Sequence, residues 1–208
     1  MNAKEIMEIS PIVPVIAIDD VEQALPLAKA LSEGGINIME ITLRTEAALA
    51  AIEIISKEFP SMYVGAGTVC NEEDVIKSKK SGAKFVFSPG ISTELIDSAK
   101  KNQITLIPGV STATEVMLAQ NNELFYCKLF PALVVGGVDI LKAFQGPFSK
   151  INFCPTGGVS LHNLNQFLSL KNVLCVGGTW IVPKDEINKG NYYKITELCK
   201  EALESIKG

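Results

Sequence analysis

Eight short apolar runs, rich in β-branched residues, recur about two dozen residues apart, at 12–18, 36–41, 62–64, 85–88, 104–107, 124–130, 151–154 and 173–176. Nearly all are apolar on both faces, which is the environment of a parallel sheet covered on each side. Parallel neighbours need a crossover, and the intervening segments carry helical periodicity. In the first of these, Asp19 or Asp20 is placed to cap the helix and Gly34-Gly35 to end it. Pro26 within that pattern is a local conflict of the kind that kinks a helix. Further helices open at Asn71, Ser92 and Ser111, each followed by acids that suit the positive end of a helix dipole.

Eight strands alternating with eight helices in 208 residues is the lower size limit of a closed (β/α)₈ TIM barrel. The expected fold is therefore α/β, a single domain over residues 1–208, with a short N-terminal helix before the first strand. A doubly wound open sheet is the competitor, but nothing after the first strand resembles G-x-G-x-x-G. No linker, charge block or low-complexity stretch divides the chain.

Composition narrows the functional classes. Apolar residues make up 47% and charged residues 20%, a globular balance, and the net charge is −4. A mildly acidic surface repels nucleic acid and anionic membranes, so neither is an expected partner. No run of apolar residues is long enough for a membrane span, and the charged start of the chain lacks a signal-peptide core. The five cysteines are odd in number, with no C-x-x-C pair. Reduced thiols in a cytoplasmic protein are expected.

In a barrel, chemistry gathers at the C-terminal ends of the strands. Two residues there break the apolar pattern. Lys128 follows Tyr126-Cys127 in a strand with no other charge after Glu123. Such a lysine either finds an anion, snorkels to solvent or sheds its proton, and the neutral amine is a nucleophile for ketones. Glu40 shares the parity of Ile36 and Ile38, so it points to the same side of its strand as they do. An acid and an amine facing one another form the set that imine chemistry needs, or else a structural ion pair.

Arg44 shares the parity of Glu40 and Thr42 and is a candidate fork for a carboxylate; its plain alternative is a surface arginine at a helix start. Thr68, after Gly65-Ala66-Gly67, offers a hydroxyl to the same group or a helix cap. The pairs Gly157-Gly158 and Gly177-Gly178, the latter followed by Thr179, end the seventh and eighth strands, where barrels often bind phosphate on main-chain N–H groups. His162 is the only histidine and reads as a surface helix residue, with no cluster of metal-ligand spacing around it.

The segments Met39-Glu40-Ile41-Thr42-Leu43-Arg44-Thr45, Val64-Gly65-Ala66-Gly67-Thr68-Val69, Phe87-Ser88-Pro89-Gly90, Ile107-Pro108-Gly109-Val110-Ser111-Thr112, Lys128-Leu129-Phe130-Pro131-Ala132 and Phe153-Cys154-Pro155-Thr156-Gly157-Gly158-Val159 resemble the 2-keto-3-deoxy-6-phosphogluconate aldolase family, often also 4-hydroxy-2-oxoglutarate aldolases. The match runs from about Pro11 to the C-terminus in the same order. The resemblance implies a class I aldolase on a small (β/α)₈ barrel, with no metal and no cofactor, usually a homotrimer in bacterial cytoplasm. Its substrates would be small 2-keto acids and sugar phosphates.

By that resemblance Lys128 matches the Schiff-base lysine and Glu40 the proton-transferring glutamate. Arg44 and Thr68 match residues around the pyruvate carboxylate, and Pro89 and Phe130 line the same pocket. Thr156 matches a position linked to stereochemical selection, and Gly157, Gly158, Gly178 and Thr179 the phosphate end. Two departures bear on substrate choice. Leu133-Val134-Val135 stand where close relatives carry more polar residues, and Ala17 where some carry arginine. A phosphogalactonate substrate, a phosphate-binding isomerase or synthase, and a non-catalytic sugar-phosphate binder are the competing readings.

Overall fold

The computed structural model describes residues 1–207. Helix α1, Ala3–Met7, is closed by a reciprocal cap between Asn2 and Glu5 and buries Ile6 and Met7. It sits against the start of one strand, where the Thr105 hydroxyl donates to the Met1 carbonyl at 3.1 Å. The chain then alternates β1 (Ile12–Ile16), α2 (Ala24–Glu33), β2 (Ile38–Thr42), α3 (Ala48–Glu58), β3 (Tyr63–Gly67), α4 (Glu72–Lys80), β4 (Phe85–Phe87) and α5 (Thr93–Lys101). The second half runs β5 (Thr105–Ile107), β6 (Gly109–Val110), α6 (Ala113–Asn121), β7 (Tyr126–Leu129), α7 (Gly137–Gln145), β8 (Asn152–Pro155), α8 (Leu164–Leu168), β9 (Val176–Gly178), α9 (Lys184–Asn188) and α10 (Tyr192–Lys207).

Every strand pairing is parallel. Hydrogen bonding arranges the strands as a curved six-stranded sheet, β5-β4-β3-β2-β1-β9, and a three-stranded sheet, β6-β7-β8, rather than as one continuous eight-stranded ring. The fold is thus α/β with a parallel half-barrel sheet. All eight apolar runs overlap a strand, the eighth only at Val176, but the fifth continues past Pro108 as the short β6. Proline has no N–H for the ladder, so the strand breaks there. The Pro108 carbonyl is instead taken up by the Lys128 N–H at 2.8 Å.

Burial on both sheet faces explains the unbroken apolar runs: β1 and β2 are buried at every position, and Phe85, Phe87, Phe153 and Phe167 are the bulkiest enclosed side chains. The helix signals resolve in detail. Asp20 caps a 3₁₀ turn, Val21–Gln23, that leads into α2. Pro26 therefore falls in the first turn of α2, where its missing N–H is not needed. Asn71 and Ser92 cap α4 and α5 as expected. Helix α6 is capped by Thr112 rather than Ser111, because Glu115 reaches back to the N–H groups of both residues. His162 lies in the exposed turn before α8, outside the helix.

All five cysteines are free thiols, and only Cys70 is exposed. Burial pushes Cys127 and Cys199 up to about 12, while a hydrogen bond with Cys154, and then burial, raises Cys175 well above its ordinary value. Thiolate is the reactive form, so these groups are inert in the folded protein. Alkylation at pH 8 is expected to modify Cys70 alone before unfolding and all five after it, read by intact mass. Rapid labelling of Cys127 or Cys199 in the folded protein would contradict the packing described.

Candidate active site

The one buried ion pair among the described residues sits where the two sheets face each other. Lys128 Nζ lies 3.1 Å from Glu40 Oε1 and 3.4 Å from Oε2. The two side chains are 6% and 2% exposed. Register places both: Glu40 is opposite Val15 and Gly65 in the larger sheet, Lys128 opposite Gly109 and Cys154 in the smaller. Taking either charge out of water costs several kcal/mol, so each needs the other.

Aromatic faces complete the amine's surroundings. The ring centroids of Phe87 and Phe130 lie 5.2 Å and 5.4 Å from Lys128 Nζ, within cation–π range. These contacts are worth about 0.5–2 kcal/mol each, too little to replace the carboxylate but enough to orient the ammonium. Phe130 was singled out from sequence; Phe87 was not, since a phenylalanine in an apolar strand carries no signal of its own.

Gly67 is the second residue that pattern reading passed over. A Cβ there would overlap the Glu40 carboxylate, so the carboxylate occupies the space that a side chain would take. Gly177 does the same for the buried Thr156 hydroxyl, which donates to the Cys154 carbonyl at 3.3 Å.

Arg44 extends the β2 end outward. It is exposed, and its Nε donates to Thr42 Oγ1 at 3.0 Å, while that hydroxyl donates to the Ile16 carbonyl at 2.9 Å. Thr68 is half-buried with φ of 59°, a left-handed conformation unusual for a threonine. It does not cap α4, since Asn71 does. Pro89 is exposed and borders a recess of about 220 Å³ with Val69 and Cys70. Its turn is fixed by Ser88, whose hydroxyl donates to the Gly90 carbonyl at 2.6 Å and accepts from the Gly109 N–H at 3.3 Å.

The Gly157-Gly158 turn lies just beyond β8, whereas Gly177 and Gly178 are the last two residues of β9. Gly157 and Gly158 have φ of 101° and 82°, open to glycine and strained for other residues. Main-chain bonds lace this turn to the one after β7: Ala132 N–H to the Thr156 carbonyl at 2.8 Å and Leu133 N–H to the Gly157 carbonyl at 3.1 Å. Gly178 lets the Trp180 ring lie against the backbone. Thr179 is exposed and shares a cavity of about 630 Å³ with Arg44, Ala17, Trp180 and Lys184.

A third cavity, about 390 Å³, lies by α1 and the starts of β5 and β7, away from the ion pair. Among the described residues no group of three or more His, Cys, Asp or Glu side chains is placed to hold a metal ion. The sequence-selected residues thus divide into buried Lys128 and Glu40 with Phe130 beside them, buried Thr156 against Gly177, half-buried Thr68 after β3, and outer groups at Arg44 and Thr179, at Pro89, and at Gly157-Gly158.

Gly67→Ala is expected to displace the Glu40 carboxylate and leave Lys128 buried without its counter-charge. The cost is about 3–5 kcal/mol, visible as a lower urea midpoint at unchanged m-value. A midpoint equal to that of the parent would show that Glu40 does not need this space.

The family model for KDPG and KHG aldolase matches residues 3–198. The chain is 48% identical to a 2-dehydro-3-deoxy-phosphogluconate aldolase of Dickeya dadantii, over 97% of this chain and 95% of that protein. It is 47% identical to a KHG/KDPG aldolase of Escherichia coli, over 99% and 97%. A crystal structure of KDPG aldolase from Legionella pneumophila, with pyruvate captured as a covalent carbinolamine intermediate, superposes with a TM-score of 0.94 at 43% identity, over 96% of this chain and 97% of that one. An amine and a carboxylate enclosed together at the strand ends, in a chain so matched along its length, have one assignment: the protein belongs to the KDPG and KHG aldolase family.

Proposed function

We propose that this protein is a class I aldolase that cleaves 2-dehydro-3-deoxy-6-phosphogluconate to pyruvate and glyceraldehyde 3-phosphate, and 4-hydroxy-2-oxoglutarate to pyruvate and glyoxylate. The observation that carries this reading is the 3.1 Å approach of Lys128 Nζ to Glu40 inside an apolar, aromatic-walled site. The activities printed for the relatives support it.

In this mechanism Glu40 takes a proton from the ammonium, and the freed amine attacks the C2 ketone. The carbinolamine hydroxyl leaves as water with a proton returned by Glu40, giving a protonated imine. That imine draws electrons from the C3–C4 bond. Glu40, directly or through a water, accepts the C4 hydroxyl proton as the bond breaks. The aldehyde departs, the enamine carbon is protonated, and hydrolysis frees pyruvate and the lysine. One carboxylate placed within bonding range of the amine serves each transfer in turn.

The outer residues orient the substrate. Arg44 and Thr68 hold the carboxylate end, Pro89 and Phe130 flank the keto acid, and Thr156 faces the carbon that sets stereochemistry. Gly157, Gly158, Gly178 and Thr179 hold the phosphate on main-chain N–H groups and a hydroxyl. Fixing both ends converts binding into correct placement of the reacting bond.

The same reading extends to architecture. The two sheets are parts of one closed (β/α)₈ barrel forming a single domain; the parallel bridges Phe153–Val173 and Thr156–Gly177, at the β8–β9 seam, support closure. The assembly is a homotrimer in the cytoplasm. Exposed Met117, Leu133, Val134 and Tyr193 provide apolar surface for subunit contact, and the free thiols suit a reducing compartment.

Two substitutions test the chemistry. Lys128→Ala should abolish borohydride trapping of a pyruvate adduct, read by intact mass and peptide mapping; trapping at the parent level would remove Lys128 from its role. Glu40→Gln should retain keto-acid binding but lower turnover by a factor on the order of 10² or more. Full activity in that variant would refute the proton transfers assigned to Glu40.

A further inference from the structure

A second ion pair stands at the mouth of the strands. Lys184 Nζ lies 2.8 Å from Asp19 Oδ2, joining the first residue of α9 to the loop that leaves β1. The two side chains are 55% and 43% exposed, so this pair adds little to stability and is readily exchanged. Its position gives it interest. Lys184 lines the cavity of about 630 Å³ that also holds Arg44 and Thr179, and none of the lining residues is acidic.

The glycine turns offer main-chain donors but no cation, and Ala17, on the same cavity wall, offers nothing to an anion. A phosphate monoester carries about −1.5 to −2 charges at neutral pH. Arg44 is tied to Thr42 at the β2 end, which leaves Lys184 as the other cation of the cavity. The Trp180 Nε1 is buried and has no protein acceptor, and its side chain lines the same space. Asp19, left alone at this rim, would repel an arriving anion.

We propose that Lys184 is the cationic contact for the distal anionic group of the substrate, with Asp19 as its resting partner and competitor. The proposal rests on the aldolase reading and adds to it a specificity-determining side chain. In the free protein Asp19 holds the ammonium at the rim. An incoming phosphate offers more negative charge and a deeper position, and the flexible lysine stem lets the ammonium change partners. The exchange costs little because the bond given up is solvent-screened.

Steady-state kinetics on 2-dehydro-3-deoxy-6-phosphogluconate, with deuterium exchange of the pyruvate methyl group as control, separates the possibilities. Lys184→Ala should raise KM about tenfold with kcat within about twofold of the parent, and Lys184→Arg should restore most of the affinity. Asp19→Asn should lower KM by about threefold, because it frees the lysine and removes a repulsive charge. Pyruvate exchange, which needs no distal group, should stay at the parent rate in all three. An unchanged KM in Lys184→Ala, a higher KM in Asp19→Asn, or exchange falling in step with cleavage would overturn the assignment. A parent protein that neither cleaves the substrate nor exchanges pyruvate would instead refute the aldolase reading itself.

Discussion

A carboxylate and an ammonium enclosed among phenylalanine rings must remain together, and much of this molecule's geometry follows from that requirement. Glu40 and Lys128 stand 88 residues apart in sequence, on different sheets. Neither can move toward water without exposing the apolar walls around it. Separating them would strand a charge in a medium of low polarity, where the penalty far exceeds what a surface pair contributes. The same confinement that makes the pair costly to break is what the proton transfers proposed for it would use. An amine next to a carboxylate, shielded from bulk water, has one nearby place to send its proton.

The space for this arrangement comes from atoms that are missing. Gly67 leaves room for the Glu40 carboxylate and Gly177 for the Thr156 hydroxyl, while Gly65 admits the Phe85 ring. Large and absent side chains alternate around the strand ends, so the polar groups sit in shaped recesses instead of an open bowl. Phe85 in turn stands edge-on to Phe87, whose ring faces the lysine amine. A chain of contacts thus connects a glycine on β3 to the surroundings of the Lys128 amine on β7.

Much of this could be read from the residues alone, for identifiable reasons. Strands buried on both faces leave unbroken apolar runs, and the eight runs mark every strand except the two-residue β6. Lys128 and Glu40 stood out because charge in such a run is expensive. What pattern could not reveal depended on neighbours distant in sequence. Nothing in Phe87 or Gly67 distinguishes them from core filler or a flexible turn until the facing strand is in place. The break at Pro108 was implicit in proline's missing N–H, but a two-residue continuation such as β6 is too short to announce itself. Thr112 displaced Ser111 as a cap because Glu115 is long enough to satisfy both amides. Lys184 and Arg44 line one cavity because the start of α9 meets the turn after β2, which periodicity does not address.

The lacing of the turn after β7 to the turn after β8 has an evolutionary consequence. Those bonds run between main-chain atoms of Ala132, Leu133, Thr156 and Gly157, so most side-chain replacements leave them intact. The framework that presents Lys128 is therefore insulated from changes in the groups that hang outside it, such as Leu133, Val134 and Thr179. A lineage built on this plan can exchange those pendant groups while the buried pair of Lys128 and Glu40 keeps its setting.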